Sequence, residues 1–131
     1  MTNPTPQDRY SRGLARLTEV DGAAGEAVIA AMADIAPDLG KAIIEFAFGE
    51  IYTRPGLSLR DRELATIAAL TALGTATPQL KVHLHGGLNV GLTREEIVET
   101  ILQMAVYAGF PAALNGMFAA KEVFSAREVA V

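Results

Sequence analysis

The segment Leu64–Gly74, LATIAALTALG, is apolar almost all the way round. A helix with no polar face must be covered on every side, and a small bundle offers few positions where one chain can do this. Much of Ile97–Ala108 has the same character. Part of this surface is therefore expected to meet another copy of the chain. A single central helix, covered within a monomer, is the alternative. No stretch alternates apolar and polar residues with a period of two, so the chain reads as all-α.

Start and stop signals divide the sequence into helices. Residues 1–5 carry prolines and small polar residues and suggest a loose arm. A first helix covers about Pro6–Val20. Asp21 caps a second that runs to about Ile35 and buries Val28, Ile29 and Met32. Pro37 suits the first turn of a third, which covers Leu39, Ile43, Ile44, Phe46 and Phe48. Arg54-Pro55-Gly56 stops it. Ser58 is placed to cap a helix over Leu59–Leu73, and Gly74 to end it in a left-handed conformation. Thr77-Pro78 reads as a cap followed by a first-position proline, with Gly91 closing that helix. Thr93-Arg94-Glu95-Glu96 fits a capping box. Its helix stops at Gly109, and Pro111 opens a last one that ends near Ala126. The expectation is one domain over residues 1–131, a bundle of about seven helices, several too short to be stable alone.

Composition narrows the function. Half of the 131 residues are apolar, and cysteine is absent. A net charge of −4 and a pI near 5.1 provide no attraction for nucleic acid or an anionic membrane surface. The start MTNPTPQDRYSRG lacks the basic and apolar regions of a signal peptide. Apolar runs such as Leu64–Leu73 reach about half of the roughly 20 residues needed to span a bilayer. A cytoplasmic location is the expectation. Without cysteine there is no disulfide, no thiolate nucleophile and no thiolate-ligated metal. Phosphate-loop, G-x-S-x-G and H-E-x-x-H patterns are also missing.

The polar residues beside the apolar runs are the candidates for chemistry. Glu63 precedes Leu64 in the first turn of the most apolar helix. Its bland role is to complement the helix dipole, a task Asp61 could perform equally well. His83 and His85, two residues apart, project to nearly opposite sides of one helix and cannot share a metal as an i, i+4 pair would. Gln79 and Gly87 lie four residues either side of His83, and Gly86 lies three residues after it. Two glycines inside a helix cost roughly 1 kcal/mol each, which makes sense where a ligand or another backbone comes close. His85, one turn from Lys81, reads as an outer-face residue. Glu99, Gln103 and Tyr107 form a line that is either a solvated stripe or a network lining a cavity. Arg54, Arg60 and Arg62 could grip a carboxylate or form surface ion pairs.

The pieces LSLRDRELATIAAL, QLKVHLHGGLNVGLTREEIVE, QMAVYAGFPAALN and AAKEVF, in that order within residues 57–126, resemble the carboxymuconolactone decarboxylase family. The resemblance implies an oligomerising, alkylhydroperoxidase D-like helical fold, as a trimer or hexamer. In the peroxidase-like branch of that superfamily, two cysteines precede the helix histidine. Taking His83 as that histidine puts them at Ala76 and Gln79, so disulfide exchange is excluded. In the decarboxylase branch a glutamate early in the apolar helix and the helix histidine are the acid–base candidates, and these match Glu63 and His83. The implied substrate is a 4-carboxymuconolactone-type lactone or a related small cyclic or keto carboxylic acid. Arg54, Arg62, Gln79, Gly87 and Tyr107 are the candidate substrate contacts. No metal or organic cofactor is implied, because the lactone carbonyl is itself the electron sink. A non-catalytic, redox-inactive helical oligomer that binds a small ligand or partner is the alternative.

Overall fold

The computed structural model of the chain describes residues 6–129; the arm expected over residues 1–5 lies outside them. Among the described residues there is no strand, and there are six helices. They are α1 (Pro6–Met32), α2 (Pro37–Ala42), α3 (Leu59–Leu73), α4 (Thr77–Asn89), α5 (Arg94–Ala108) and α6 (Phe110–Val129). Helix α2 runs on without a break into a π-helical segment, Ile43–Ile51. The chain divides into two compact units, one up to Leu59 and one from Arg60 onward.

In the first unit the two expected N-terminal helices are present and meet at a kink inside α1. Helix runs through Asp21, and the departure falls at Gly22, with φ 56 and ψ −139. That conformation is open to glycine and strained for a residue with a Cβ, so the joint sits on Gly22 rather than on a cap at Asp21. Of the residues expected to be buried on the second of these helices, Ile29 and Met32 are half-buried and Val28 is exposed.

The π-helical segment carried no signal in the sequence, and it lies against α1 with the two backbones close together. A Cβ on Gly13 would stand 1.9 Å from the Ile44 carbonyl oxygen, and one on Gly49 would stand 2.7 Å from that of Arg9. Two glycines thus bring the backbones of α1 and the π segment into direct contact. Arg12 Nε donates to the Gly49 carbonyl at 2.8 Å, and the Thr53 hydroxyl donates to the same oxygen at 2.7 Å. The Tyr52 amide closes the wide turn on the Ala47 carbonyl at 2.9 Å. Phe48 and Tyr52 stack with ring centroids 4.7 Å apart.

The second unit is built around Ile67, Leu80, Leu84, Leu92, Ile97 and Ile101, with the small face of α6 laid against them. Its punctuation follows the sequence closely. Gly74 ends α3 with φ 72. Helix α4 has proline in its first turn, but its cap is Ala76, so Thr77 already belongs to the helix. The capping box at α5 is complete: the Glu96 amide donates to the Thr93 hydroxyl, and the Thr93 amide donates to the Glu96 carboxylate. The Thr93 amide, and after it the Arg60 guanidinium, hold the Glu96 carboxyl below its usual range.

Substituting Gly13 by alanine should lower stability by about 1–3 kcal/mol, since the atom it meets is a backbone carbonyl that cannot rotate away. Gly56 meets nothing within 4 Å, and Gly56→Ala should stay within about 0.5 kcal/mol of the parent chain. Urea midpoints of the two variants, at equal slope, make the comparison.

Candidate active site

The buried positions of α3 are Glu63, Ile67 and Thr71. They recur at i, i+4 and i+8, which is one row of a helix. Glu63 therefore heads the row that faces the core, and none of its surface is exposed. Asp61 sits in the first turn on the exposed side. The dipole role and the buried role thus fall to different carboxylates.

On α4 the corresponding row is Leu80, Leu84 and Gly87, all buried, with His83 beside it. His83 brings its Nδ1 to 3.0 Å from Glu63 Oε2 and 3.3 Å from Oε1. The histidine side chain retains 19% exposure while the glutamate side chain has none. A carboxylate can only accept, so the ring donates through Nδ1–H, and proton exchange with a ligand falls to Nε2. A carboxylate that fixes the tautomer and orientation of an imidazole is a recurrent acid–base arrangement.

The other sequence candidates take separate places. Arg60 pairs with Glu96. Arg62, half-buried, precedes Glu63 on α3, and its carbonyl accepts from the Thr66 hydroxyl at 2.8 Å. Gln79 is exposed one turn before His83. Arg54 is exposed in the turn that precedes α3, within the first unit. Gly87 has a packing reason: a Cβ there would meet Leu92 at 2.9 Å and Ile67 at 3.0 Å. Glu99, Gln103 and Tyr107 are exposed, and with Leu102 and Val106 they line a shallow depression of about 330 Å³ on α5.

His85 lies at an open surface cleft, with a neighbour beside it. It is half-buried, and its Nδ1 lies 3.2 Å from Arg127 Nη1. Burial, and after it the Arg127 charge, push its pKa below the ordinary value. Arg127 escaped notice in the sequence because a basic residue in the last turn of a helix reads as a dipole partner.

A family model described as the carboxymuconolactone decarboxylase family matches residues 37–122, a span that includes both members of the Glu63–His83 pair. The chain belongs to this family. It is 40% identical over 119 residues to a 4-carboxymuconolactone decarboxylase of Acinetobacter baylyi, covering 90% of this chain and 88% of that one. It is 36% identical over 96 residues to an uncharacterized 15.0 kDa protein of Paracoccus denitrificans, covering 72% of each. A nitrosuccinic acid decarboxylase of Metarhizium robertsii is 34% identical over 83 residues, covering 63% of this chain and 57% of that one.

The pair has a spectroscopic signature. Nitrogen-15 shifts of His83 at neutral pH should report Nδ1 as the protonated nitrogen of the neutral ring. Glu63→Gln should abolish that tautomer preference, because an amide can equally well donate to the ring. An Nε2–H tautomer in the parent protein would contradict the geometry.

Proposed function

We propose that this protein is a carboxy-lyase that removes CO2 from a small carboxylic acid and returns a proton to carbon through His83. The His83 contact with the fully buried Glu63 carboxylate, at 3.0 Å, carries this assignment. It occurs in a chain whose relatives include two proteins named as decarboxylases.

The substrates in those two names share little shape, one being a ring and the other an open chain. Their common chemistry is an electron-withdrawing group placed to accept the electron pair that CO2 leaves behind. In 4-carboxymuconolactone this is the conjugated lactone carbonyl, and in nitrosuccinic acid it is the nitro group. Each also carries a second carboxylate. We assign this protein a substrate of that class, with a 4-carboxymuconolactone-type lactone as the leading member.

The C–C bond to the departing carboxylate breaks, CO2 leaves, and the electron pair enters a dienolate that ends on the carbonyl oxygen of the lactone. A carbon of the dienolate then takes a proton from His83 Nε2, and water reloads the ring, so one proton is consumed per turnover. Glu63 orients the imidazole and offsets its charge when both nitrogens are protonated. Arg62 and Gln79, next to the pair in sequence and in helical register, are assigned to the retained carboxylate. Proton delivery of this kind is typically worth ~10²–10⁴-fold.

A homo-oligomer belongs to the same proposal, trimeric or hexameric as the sequence resemblance implies. Leu102, Val106 and Tyr107 on α5, and Phe110, Leu114 and Phe118 on α6, are all more than half exposed. Monomers seldom expose contiguous apolar patches beyond a few hundred Å². The α5 depression has Glu99 as the charged residue in its lining, so a second copy that covers it must pair this one carboxylate or leave it at the rim.

His83→Gln and Glu63→Gln should each slow decarboxylation of 4-carboxymuconolactone by roughly a hundred- to ten-thousand-fold, and the double variant should lose little more. CO2 release and deuterium uptake at the product carbon follow the two halves of the reaction. His85→Gln should be nearly silent. Full activity in His83→Gln would end the acid–base assignment. Sedimentation at micromolar concentration should show an oligomer, and Val106→Glu should dissociate it; a stable parent monomer would refute the assembly.

A further inference from the structure

The C-terminal half of α4, the start of α5 and the end of α6 enclose a cleft of about 600 Å³, lined by His85, Leu88, Arg94, Phe124, Arg127 and Glu128 among others. It lies within the second unit and takes none of its lining from Glu63 or His83. Its charge is opposite to that of the whole chain. Two arginines less one glutamate leave the lining at +1, in a chain of net charge −4.

The two arginines are held differently. Arg94 donates to Glu128 at 2.6 Å and stands 4.6 Å above the Phe124 ring, so its charge is matched and one ring face is covered. Arg127 donates through Nη2 to the Asn89 side-chain oxygen Oδ1 at 3.0 Å and through Nη1 toward His85 Nδ1 at 3.2 Å. Both are neutral acceptors: burial and the neighbouring guanidinium disfavour a proton on His85. Among the described residues, Arg127 is thereby oriented by two hydrogen bonds without having its charge cancelled. A guanidinium has five N–H donors, and two of them are used among the described residues. Leu88, Ala126 and Phe124 supply an apolar floor alongside.

We infer that this cleft is a second ligand site, separate from the Glu63–His83 pair, which takes a small planar carboxylate with its anion on Arg127 and its body against Leu88 and Phe124. The carboxylate supplies the charge that Asn89 and His85 do not, in the forked geometry that arginine favours. His85 serves as the neutral brace that aims the guanidinium. This gives the second histidine of the helix a task that acid–base chemistry does not.

Benzoate is the probe, titrated into the isotopically labelled protein and followed by NMR. Shifts should concentrate at His85, Leu88 and Phe124, and benzamide, its uncharged counterpart, should leave them unmoved. Arg127→Gln should weaken benzoate at least tenfold. Arg127→Lys should fall between, because an ammonium keeps the charge and loses the fork. His83→Gln should bind benzoate as the parent does, which separates this site from the catalytic proposal. Should Arg127→Gln fail to fold, the Arg127→Lys and benzamide comparisons still decide. Equal affinity in the arginine variants, equal binding of benzamide, or shifts confined to the surroundings of His83 would each overturn the inference.

Discussion

Glu63 is a carboxylate with no exposed surface, placed on the same helical row as Ile67 and Thr71. An ionised carboxylate left without partners in such a place is prohibitively unfavourable. The His83 ring, 3.0 Å away, is part of what makes the position tolerable. Removing one member of a buried pair commonly costs about 3–5 kcal/mol, yet replacing both by apolar residues of similar volume is often neutral or stabilising. Stability alone therefore gives no reason for a Glu–His pair where two leucines would serve. That balance is why we propose a chemical role for the pair, which ties α3 to α4 through one contact of 3.0 Å.

Much of the second unit was legible because helix ends are decided locally. The capping box at Thr93 and Glu96 satisfies two amides within four residues, so no distant contact was needed to recognise it. Gly74 could be read for the same reason, since its positive φ is a property of one residue. The first unit was harder. Its π-helical segment packs where Gly13 of α1 meets the Ile44 carbonyl, an approach between residues 31 apart in the chain. A helical period read over Pro37–Ile51 contains no trace of it. Asp21 misled for a related reason: it is a good capping residue, but the adjacent glycine took the bend.

The candidate site divides along the same line. Glu63 and His83 were recognisable as a pair from the family pattern, and their meeting needs only two helices in ordinary register. Gly87 was singled out for a true reason, a close approach at that face, but the approaching groups are the Ile67 and Leu92 side chains. The all-round apolar character of Leu64–Gly74 reflects alanine more than core. Ala65, Ala69 and Ala72 are exposed, and the buried row is narrow. Alanine keeps a helix regular while adding little side-chain bulk, so such a face can approach another backbone closely. Periodicity cannot say whether that backbone belongs to the same chain.

His83 and His85 show how much a two-residue shift on a helix decides. Successive residues turn by about 100°, which places the rings roughly 200° apart, so the helix axis screens one environment from the other. On one side the neighbour is a carboxylate, which accepts from the ring and fixes its tautomer. On the other it is a guanidinium, which donates to the ring and opposes its protonation. In the proposed function the first neighbour suits a histidine to carry protons. In the proposed second site the other neighbour favours a neutral acceptor, which can aim a cation without cancelling its charge. The separate roles we propose thus rest on the sign of the charge that the fold sets beside each ring.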